Sequence, residues 1–310
     1  MDEREFTKWI LNNMDLIVKD NKDPLPKASS FGAISNNIEN ICDNEPKTCV
    51  KKFIHLETRI RSSPKYNIAA CLIQKNMSTV LQAIMCFLYD EVRFLSNERS
   101  LTRESNNIRL CRKNNEFNNV DKAIKNSNNS WTLLAFSRHP TDRFLSNFID
   151  RCIRKPTKGI YSCNNCKFNM TCFIIKEYEH MIHEQNAIVM RKDFEDMHFF
   201  PQNWRCDFHK KLNNYSIIKY KNKNEKELAE VIKSLNDLLY RQNIGNSSLD
   251  FIKKEMLKSK TMHTTIDSKV RTYLEDRLIS SSFLMEYIVR MYYYDYKLFN
   301  YSIPLLNFAF

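Results

Sequence analysis

The sequence predicts a three-layer α/β domain built around a central, mainly parallel sheet. Short apolar runs that are typical of strands alternate along the chain with longer stretches of helical periodicity. Two strand–loop–helix units, at about 67–89 and 131–153, each carry a cationic residue at the turn. This alternation is typical of parallel strands that are connected by crossover helices.

The first unit follows Pro64. The apolar run at 67–73 (NIAACLI) has the length of a buried strand. From Met77 to Tyr89 the apolar side chains fall on one face of a helix, which predicts a helix packed against the sheet. The turn between strand and helix is therefore the segment 74–76 (QKN).

The second unit repeats this pattern. Trp131–Phe136 predicts a strand, and the turn that follows it contains Arg138. Pro140 suits the first position of the next helix, where a backbone N–H has no intrahelical partner. That helix is expected to reach about residue 153, because its apolar side chains again share one face.

The rest of the chain adds helices and one strand. Helical periodicity is present at about 172–197, 223–242 and 266–299, and Tyr215–Tyr220 predicts a strand. The Asn-rich stretch 112–130 is expected to be a surface excursion.

Residues 1–60 are polar and interrupted by prolines. We expect them to form an N-terminal segment that wraps the surface, with the domain itself at 61–310. No apolar run approaches the roughly 18–20 residues of a membrane span. If the protein is held at a membrane, its anchor is therefore expected to lie outside this chain.

Composition narrows the classes of ligand. Three glycines in 310 residues nearly exclude the glycine-rich phosphate loops of kinases and dinucleotide-binding proteins. The formal charge of +12 favours anionic partners. Nucleic acid, acidic glycans, anionic membranes and phosphorylated nucleotides all satisfy that charge.

The turn of the first unit predicts a phosphate site without glycine. Lys75 supplies a point charge, Ser78 and Thr79 supply hydroxyl donors, and the backbone amides of 76–79 lie at a helix N-terminus. An ordinary turn with a capping hydroxyl would have the same residues, so the pattern alone leaves both interpretations open.

The second unit offers a further anion site. Arg138 stands at the end of its strand, and an arginine fork matches phosphate in a bidentate manner. Ser146, two turns into the helix, adds a neutral donor if the phosphate lies alongside the helix. Arg143 is expected to point to solvent or to a carboxylate such as Asp150.

Together these segments resemble the donor-binding motifs of the membrane-bound carbohydrate sulfotransferases. The lysine loop is CLIQKNMST (71–79), and the arginine motif is FSRHPTDRFLSNF (136–148). A third block, DMHFFPQNWRC (196–206), resembles the His-aromatic-x-Pro-Gln segment of the chondroitin branch. The resemblance spans about 64–300 and agrees best with nematode members. The family loop commonly reads Pro-Lys, whereas this chain has Gln74-Lys75, which loosens the turn but keeps the lysine.

The resemblance implies a P-loop-like sulfotransferase fold and 3′-phosphoadenosine 5′-phosphosulfate (PAPS) as sulfate donor. The implied donor contacts are Lys75, Asn76, Ser78, Thr79, Arg138 and Ser146. The implied acceptor is a hydroxyl of an acidic glycan, such as the glycosaminoglycan chondroitin, and the implied location is the Golgi lumen.

Sulfuryl transfer needs positioning and neutralisation of developing charge, by analogy with phosphoryl transfer. Lys75 would stabilise charge on the leaving oxygens, and no divalent metal is expected. A base is needed near the acceptor hydroxyl. His198 is the candidate, and a histidine simply buried against the neighbouring aromatic side chains is the alternative.

Ten cysteines indicate an oxidising compartment, a zinc site or buried thiols. Cys42 and Cys49 flank a short loop that suits a disulfide. The residue types and pair spacings of a zinc site are also present, at Cys163, Cys166, Cys206 and His209. A basic zinc-binding nucleic-acid module therefore stays open, as does a sulfotransferase homologue without activity. Several Asn-x-Ser/Thr sequons, one of them at Asn76, are compatible with a secreted glycoprotein.

Overall fold

The computed structural model describes residues 3–32, 38–102, 104, 109–124, 130–154, 162–187, 196–258 and 269–306. The chain groups into two compact units. The helical unit comprises residues 1–52, 140–201 and 263–310, and the sheet unit comprises residues 53–139 and 202–262.

Among the described residues the strands are β1 Ile60–Ser63, β2 Ile68–Cys71, β3 Glu116–Phe117, β4 Thr132–Arg138 and β5 Tyr215–Tyr220. The helices are α1 Glu3–Asp20, α2 Ile41–Asn44, α3 Ser78–Tyr89, α4 Glu91–Ser96, α5 Val120–Ala123, α6 Pro140–Phe148, α7 Met170–Glu184, α8 Asp196–Phe199, α9 Phe208–Lys211, α10 Glu225–Arg241, α11 Asn246–Lys258, α12 Lys269–Ile279 and α13 Ser282–Leu298. A π-helical turn, Ile149–Arg154, follows α6.

The sheet unit contains a sheet with the strand order β3-β1-β2-β4-β5. Strands β2, β4 and β5 are parallel neighbours, whereas β1 pairs antiparallel with both β2 and β3. The predicted α/β class with a mainly parallel central sheet is confirmed. Because parallel strands end at the same edge of a sheet, the residues after β2, β4 and β5 are brought towards one another.

Helices α3, α10 and α11 bury their apolar faces in one cluster with side chains of the sheet. Leu81 and Ile84 of α3 and Leu235 of α10 are almost completely buried. Each such aliphatic side chain contributes about 1.5–3 kcal/mol when it leaves water. This packing fixes the position of α3, and with it the loop that precedes this helix.

The helical unit is organised around an aromatic cluster. Phe144 and Phe148 of α6 contact Phe173 of α7, and Phe199 of α8 contacts Phe144 and Phe173. The cluster holds α6, α7 and α8 against one another. The long α13 lies beside α6 and α7 and buries most of its residues.

The N-terminal region differs from the expected polar wrapping segment. Residues Glu3–Asp20 form a helix in which Phe6, Ile10 and Ile17 are buried. Charged side chains on the other positions hide this amphipathic pattern in the sequence. The Asn-rich stretch likewise contains two short elements, β3 and α5.

All ten cysteines form disulfides: Cys42–Cys49, Cys71–Cys206, Cys86–Cys111, Cys152–Cys163 and Cys166–Cys172. The expected Cys42–Cys49 bridge is confirmed. The alternative of a zinc site at Cys163, Cys166, Cys206 and His209 is excluded, because a sulfur in a disulfide is not available as the thiolate that binds zinc.

Candidate functional site

The lysine loop has an unusual backbone. It connects β2 to α3, and Lys75 and Met77 adopt left-handed conformations with φ of 65° and 59°. Residues other than glycine hold such a conformation only where their surroundings determine it, at a cost of about 1–3 kcal/mol each. The connection between β2 and α3 is therefore a strained turn that contains no glycine.

Asn76 holds this turn in place. Its side-chain amide donates to the Phe136 carbonyl at 2.7 Å and to Oε1 of Gln202 at 2.5 Å, and its backbone N–H donates to the Ile73 carbonyl at 3.1 Å. The residue is 1% exposed. Its burial excludes a glycan at this sequon in the folded protein. The contacts show a positioning residue that links the lysine loop to β4.

Gln202 completes this linkage. The Arg138 backbone N–H donates to its Oε1 at 2.9 Å, and its Nε2 donates to the Arg138 carbonyl at 2.8 Å. The side chain therefore acts like one residue of a neighbouring strand at the end of β4. Gln202 belongs to the third predicted block, so the three sequence motifs meet here.

Arg138 lies next to the lysine loop. Its Nη1 donates to the Lys75 carbonyl at 3.0 Å, and its guanidinium lies 5.4 Å from the ring centroid of Tyr220, at the end of β5. Burial raises the pKa of Tyr220, and the nearby Arg138 charge opposes that increase. One lysine, one arginine and one tyrosine thus lie at the carboxyl ends of β2, β4 and β5.

The N-terminus of α3 has the groups that anion binding requires. Met77 precedes α3 and provides no side-chain cap, and the first N–H groups of a helix have no intrahelical partners. Lys75, Ser78 and Thr79 are partly exposed, whereas their neighbours Asn76 and Val80 are buried. The loop therefore presents one ammonium group, two hydroxyls and backbone amides.

The remaining candidates lie in the helical unit. Ser146, on α6, is 3% exposed. His198 is half-buried, and its backbone carbonyl accepts from Nη2 of Arg143 at 2.7 Å and from Nδ2 of Asn147 at 2.6 Å. The backbone of His198 is thus anchored to α6.

Arg143 does not point to solvent. It is 1% exposed, and it donates to the carbonyls of His198 and Phe199 at the C-terminal end of α8. The solvent alternative for this side chain was wrong, since the carbonyls left unpaired at a helix end attract a cation.

The sequence did not predict the contacts of Gln202 or the contact between His180 and Asp196. Gln202 was part of a recognised block but had no predicted role. His180 of α7 contacts Asp196 of α8, with 3.0 Å between Nε2 and Oδ1. That hydrogen bond raises the pKa of His180 to about 9, although burial opposes the increase. Both contacts join residues far apart in sequence, and a local pattern cannot predict them.

Comparison with known proteins identifies the family. The sequence model described as the Sulfotransferase family matches residues 58–302. The chain belongs to the sulfotransferase family. The membership accords with the α/β fold and with the motif resemblance.

Three nematode proteins are similar to this sulfotransferase. The Caenorhabditis elegans protein C18B2.2, which is uncharacterized, is 38% identical over 95% of this chain and 82% of its own length. The putative sulfotransferase vep-2 of the same organism is 33% identical over 85% of this chain and 81% of its own length. The carbohydrate sulfotransferase chst-1, also from C. elegans, is 33% identical over 84% and 80%. The predicted resemblance to nematode members is confirmed.

No solved structure matches the chain. In the parts of the chain that the structure describes, no helix is both long and apolar enough to cross a membrane.

Proposed function

We propose that this sulfotransferase transfers a sulfuryl group from PAPS to a hydroxyl of a glycan. The observation that carries the proposal is the contact of Arg138 with the lysine loop at the carboxyl ends of parallel strands. Ligands of open α/β sheets bind at that edge. We propose residues 61–310 as the sulfotransferase domain, with residues 1–60 preceding it.

The donor half of the mechanism rests on charge and position. Lys75 binds the 5′-phosphosulfate and neutralises charge on the oxygens that leave during transfer. Ser78, Thr79 and the amides of α3 donate to the same group, while Asn76 holds the turn. Arg138 and Ser146 bind the 3′-phosphate. This scheme needs no divalent metal.

The acceptor half rests on His198. We propose that its imidazole takes the proton of the acceptor hydroxyl, while α6 fixes its backbone. The charge of +12 favours an acidic acceptor, and we propose a glycosaminoglycan such as chondroitin. The similarity to a carbohydrate sulfotransferase supports a glycan acceptor.

We place the enzyme in the Golgi lumen. Five disulfides support an oxidising compartment, since such bonds are rare where thiols are kept reduced.

Binding of the product nucleotide, adenosine 3′,5′-bisphosphate, tests the donor site. Calorimetry compares wild type with Lys75→Ala and Arg138→Ala. Each substitution should weaken binding by at least about tenfold, because a hydrogen bond to a charged group contributes about 1.5–3 kcal/mol. Matched controls are Lys233→Ala and Arg241→Ala, which change two exposed residues of α10. Both control variants should bind the nucleotide like wild type.

The proposal fails if wild type does not bind the nucleotide at millimolar concentration. It also fails if both site variants bind like wild type, since the site would then lie elsewhere.

Transfer itself is measured with labelled donor and a panel of desulfated glycans. His198→Gln should abolish transfer while product nucleotide binding stays intact. Nucleotide binding by wild type without transfer to any glycan would indicate a homologue without this activity.

A further inference from the structure

Two histidines and an aspartate, none of them among the residues proposed for donor binding, lie close together on the sheet unit. His55 and His209 are exposed, whereas Asp207 is 8% exposed. His55 Nδ1 lies 3.4 Å from Asp207 Oδ1, and one ligand atom from each of the three residues falls within 4.8 Å of the others.

Local structure brings these residues together. The backbone N–H of Phe53 donates to Asn203 Oδ1 at 2.7 Å, and that of Leu56 donates to the Trp204 carbonyl at 2.8 Å. These bonds place His55 beside the turn at 206–207, where both residues have positive φ. The next element, α9, carries His209.

The carboxylate of Asp207 is oriented by the protein. The Val120 backbone N–H donates to Oδ2 at 3.5 Å, while Oδ1 faces His55. Outer contacts of this kind orient ligands in metal sites. The neighbouring Lys211 forms an ion pair with Asp121 at 2.7 Å, which offsets its positive charge.

The ligand types select the metal. Two imidazoles with one carboxylate suit zinc and similar transition metals, whereas magnesium and calcium prefer oxygen ligands. A tetrahedral zinc ion with ligands at about 2.1 Å separates the ligand atoms by about 3.4 Å. His55 and Asp207 already have that separation, and a ring nitrogen of the exposed His209 lies within 4.8 Å of both ligand atoms.

We propose that His55, Asp207 and His209 bind Zn²⁺, with a fourth coordination position open to water. The site shares only His209 with the cysteine-based zinc alternative that the disulfides exclude. Bound zinc links the segment at 53–56 to α9, next to the Cys71–Cys206 disulfide. Since zinc binds the folded state, it should raise the unfolding temperature.

The test uses metal-free, disulfide-intact protein without reductant. Calorimetric titration with Zn²⁺, and the absorption spectrum with Co²⁺ as a probe, compare wild type with His55→Ala and His209→Ala. Wild type should bind one equivalent and unfold at a higher temperature with zinc. Each variant should bind at least about tenfold more weakly, since even outer-contact changes cost 10–100-fold in affinity.

His183→Gln is the matched control, because His183 is an exposed histidine that also contacts a carboxylate, at 3.1 Å from Glu184. It should bind zinc like wild type. The proposal is overturned if wild type binds no zinc at millimolar concentration or if both site variants keep wild-type affinity. Product nucleotide binding, measured separately, reports on the sulfotransferase proposal alone.

Discussion

Gln202 illustrates how one buried amide sets the geometry of the candidate site. Its Oε1 accepts from the Arg138 backbone and the Asn76 side chain, and its Nε2 donates to the Arg138 carbonyl. Gln202 is 0% exposed, so water cannot replace these bonds. The lysine loop and the end of β4 are therefore positioned by a residue that need not contact the donor.

Gln202→Leu should remove the link between the lysine loop and the end of β4. Substitution removes the hydrogen bonds that Gln202 makes with the Asn76 side-chain amide and with the backbone N–H and carbonyl of Arg138, at a cost of about 1–3 kcal/mol for each buried group that loses its bond. We expect a lower free energy of unfolding in urea and weaker binding of the product nucleotide. Gln242→Leu, a partly exposed glutamine at the end of α10, is the control. Unchanged nucleotide affinity in Gln202→Leu would remove Gln202 from the positioning role.

At the scale of elements, α7 and α8 are joined by His180 and Asp196. The pKa of His180 is about 9 in the folded protein, against an ordinary value of 6.5. A raised pKa means that the protonated form stabilises the fold. This stabilisation is complete below pH 6.5 and is lost as the pH rises through about 9.

The pair predicts a pH-dependent stability. Between pH 6.5 and about 9, wild type should lose about 1 kcal/mol more than Asp196→Asn, because the hydrogen bond to charged His180 disappears only in wild type. The magnitude is at the low end for a charged hydrogen bond, since the His180 side chain is 33% exposed. Urea denaturation across this range measures it. If the free energy of unfolding changes with pH in the same way in both proteins, the His180–Asp196 hydrogen bond is not the cause of the pH dependence.

Local signals explain which elements the sequence predicts. Strand β5 occupies Tyr215–Tyr220 as predicted, and α3 and α10 begin within about two residues of the predicted positions. Strand β1 was missed, since four residues become a strand only by pairing with β2 and β3. Helix α1 was missed because its charges obscured a buried apolar face.

In the candidate site too, local motifs could be predicted from the sequence, whereas contacts that depend on the fold could not. Lys75 and Arg138 were predicted from short motifs at strand ends, and the structure brings them together. The Asn76–Gln202 contact spans 126 residues and depends on the fold. The roles of Ser146 and His198 in binding and catalysis stay predictions.

At the scale of the whole molecule, the disulfides reinforce each unit from within. Cys42–Cys49, Cys152–Cys163 and Cys166–Cys172 lie in the helical unit, and the other two lie in the sheet unit. Cys71–Cys206 spans 135 residues and ties the end of β2 to the turn that follows Gln202. It therefore connects the lysine loop and the third motif by a covalent bond.

Removing this bond should affect both stability and binding. The chain-entropy model assigns about 5 kcal/mol to closing a loop of 135 residues and about 2 kcal/mol to one of seven. Cys71→Ser with Cys206→Ser should thus lower the unfolding temperature more than Cys42→Ser with Cys49→Ser. Only the first pair should also weaken product nucleotide binding, because only that bridge borders the lysine loop. Calorimetric scans and nucleotide titrations of both double variants separate the two effects. Equal nucleotide affinity in both would show that hydrogen bonds alone hold the loop, with Gln202 and Asn76 sufficient to position Lys75.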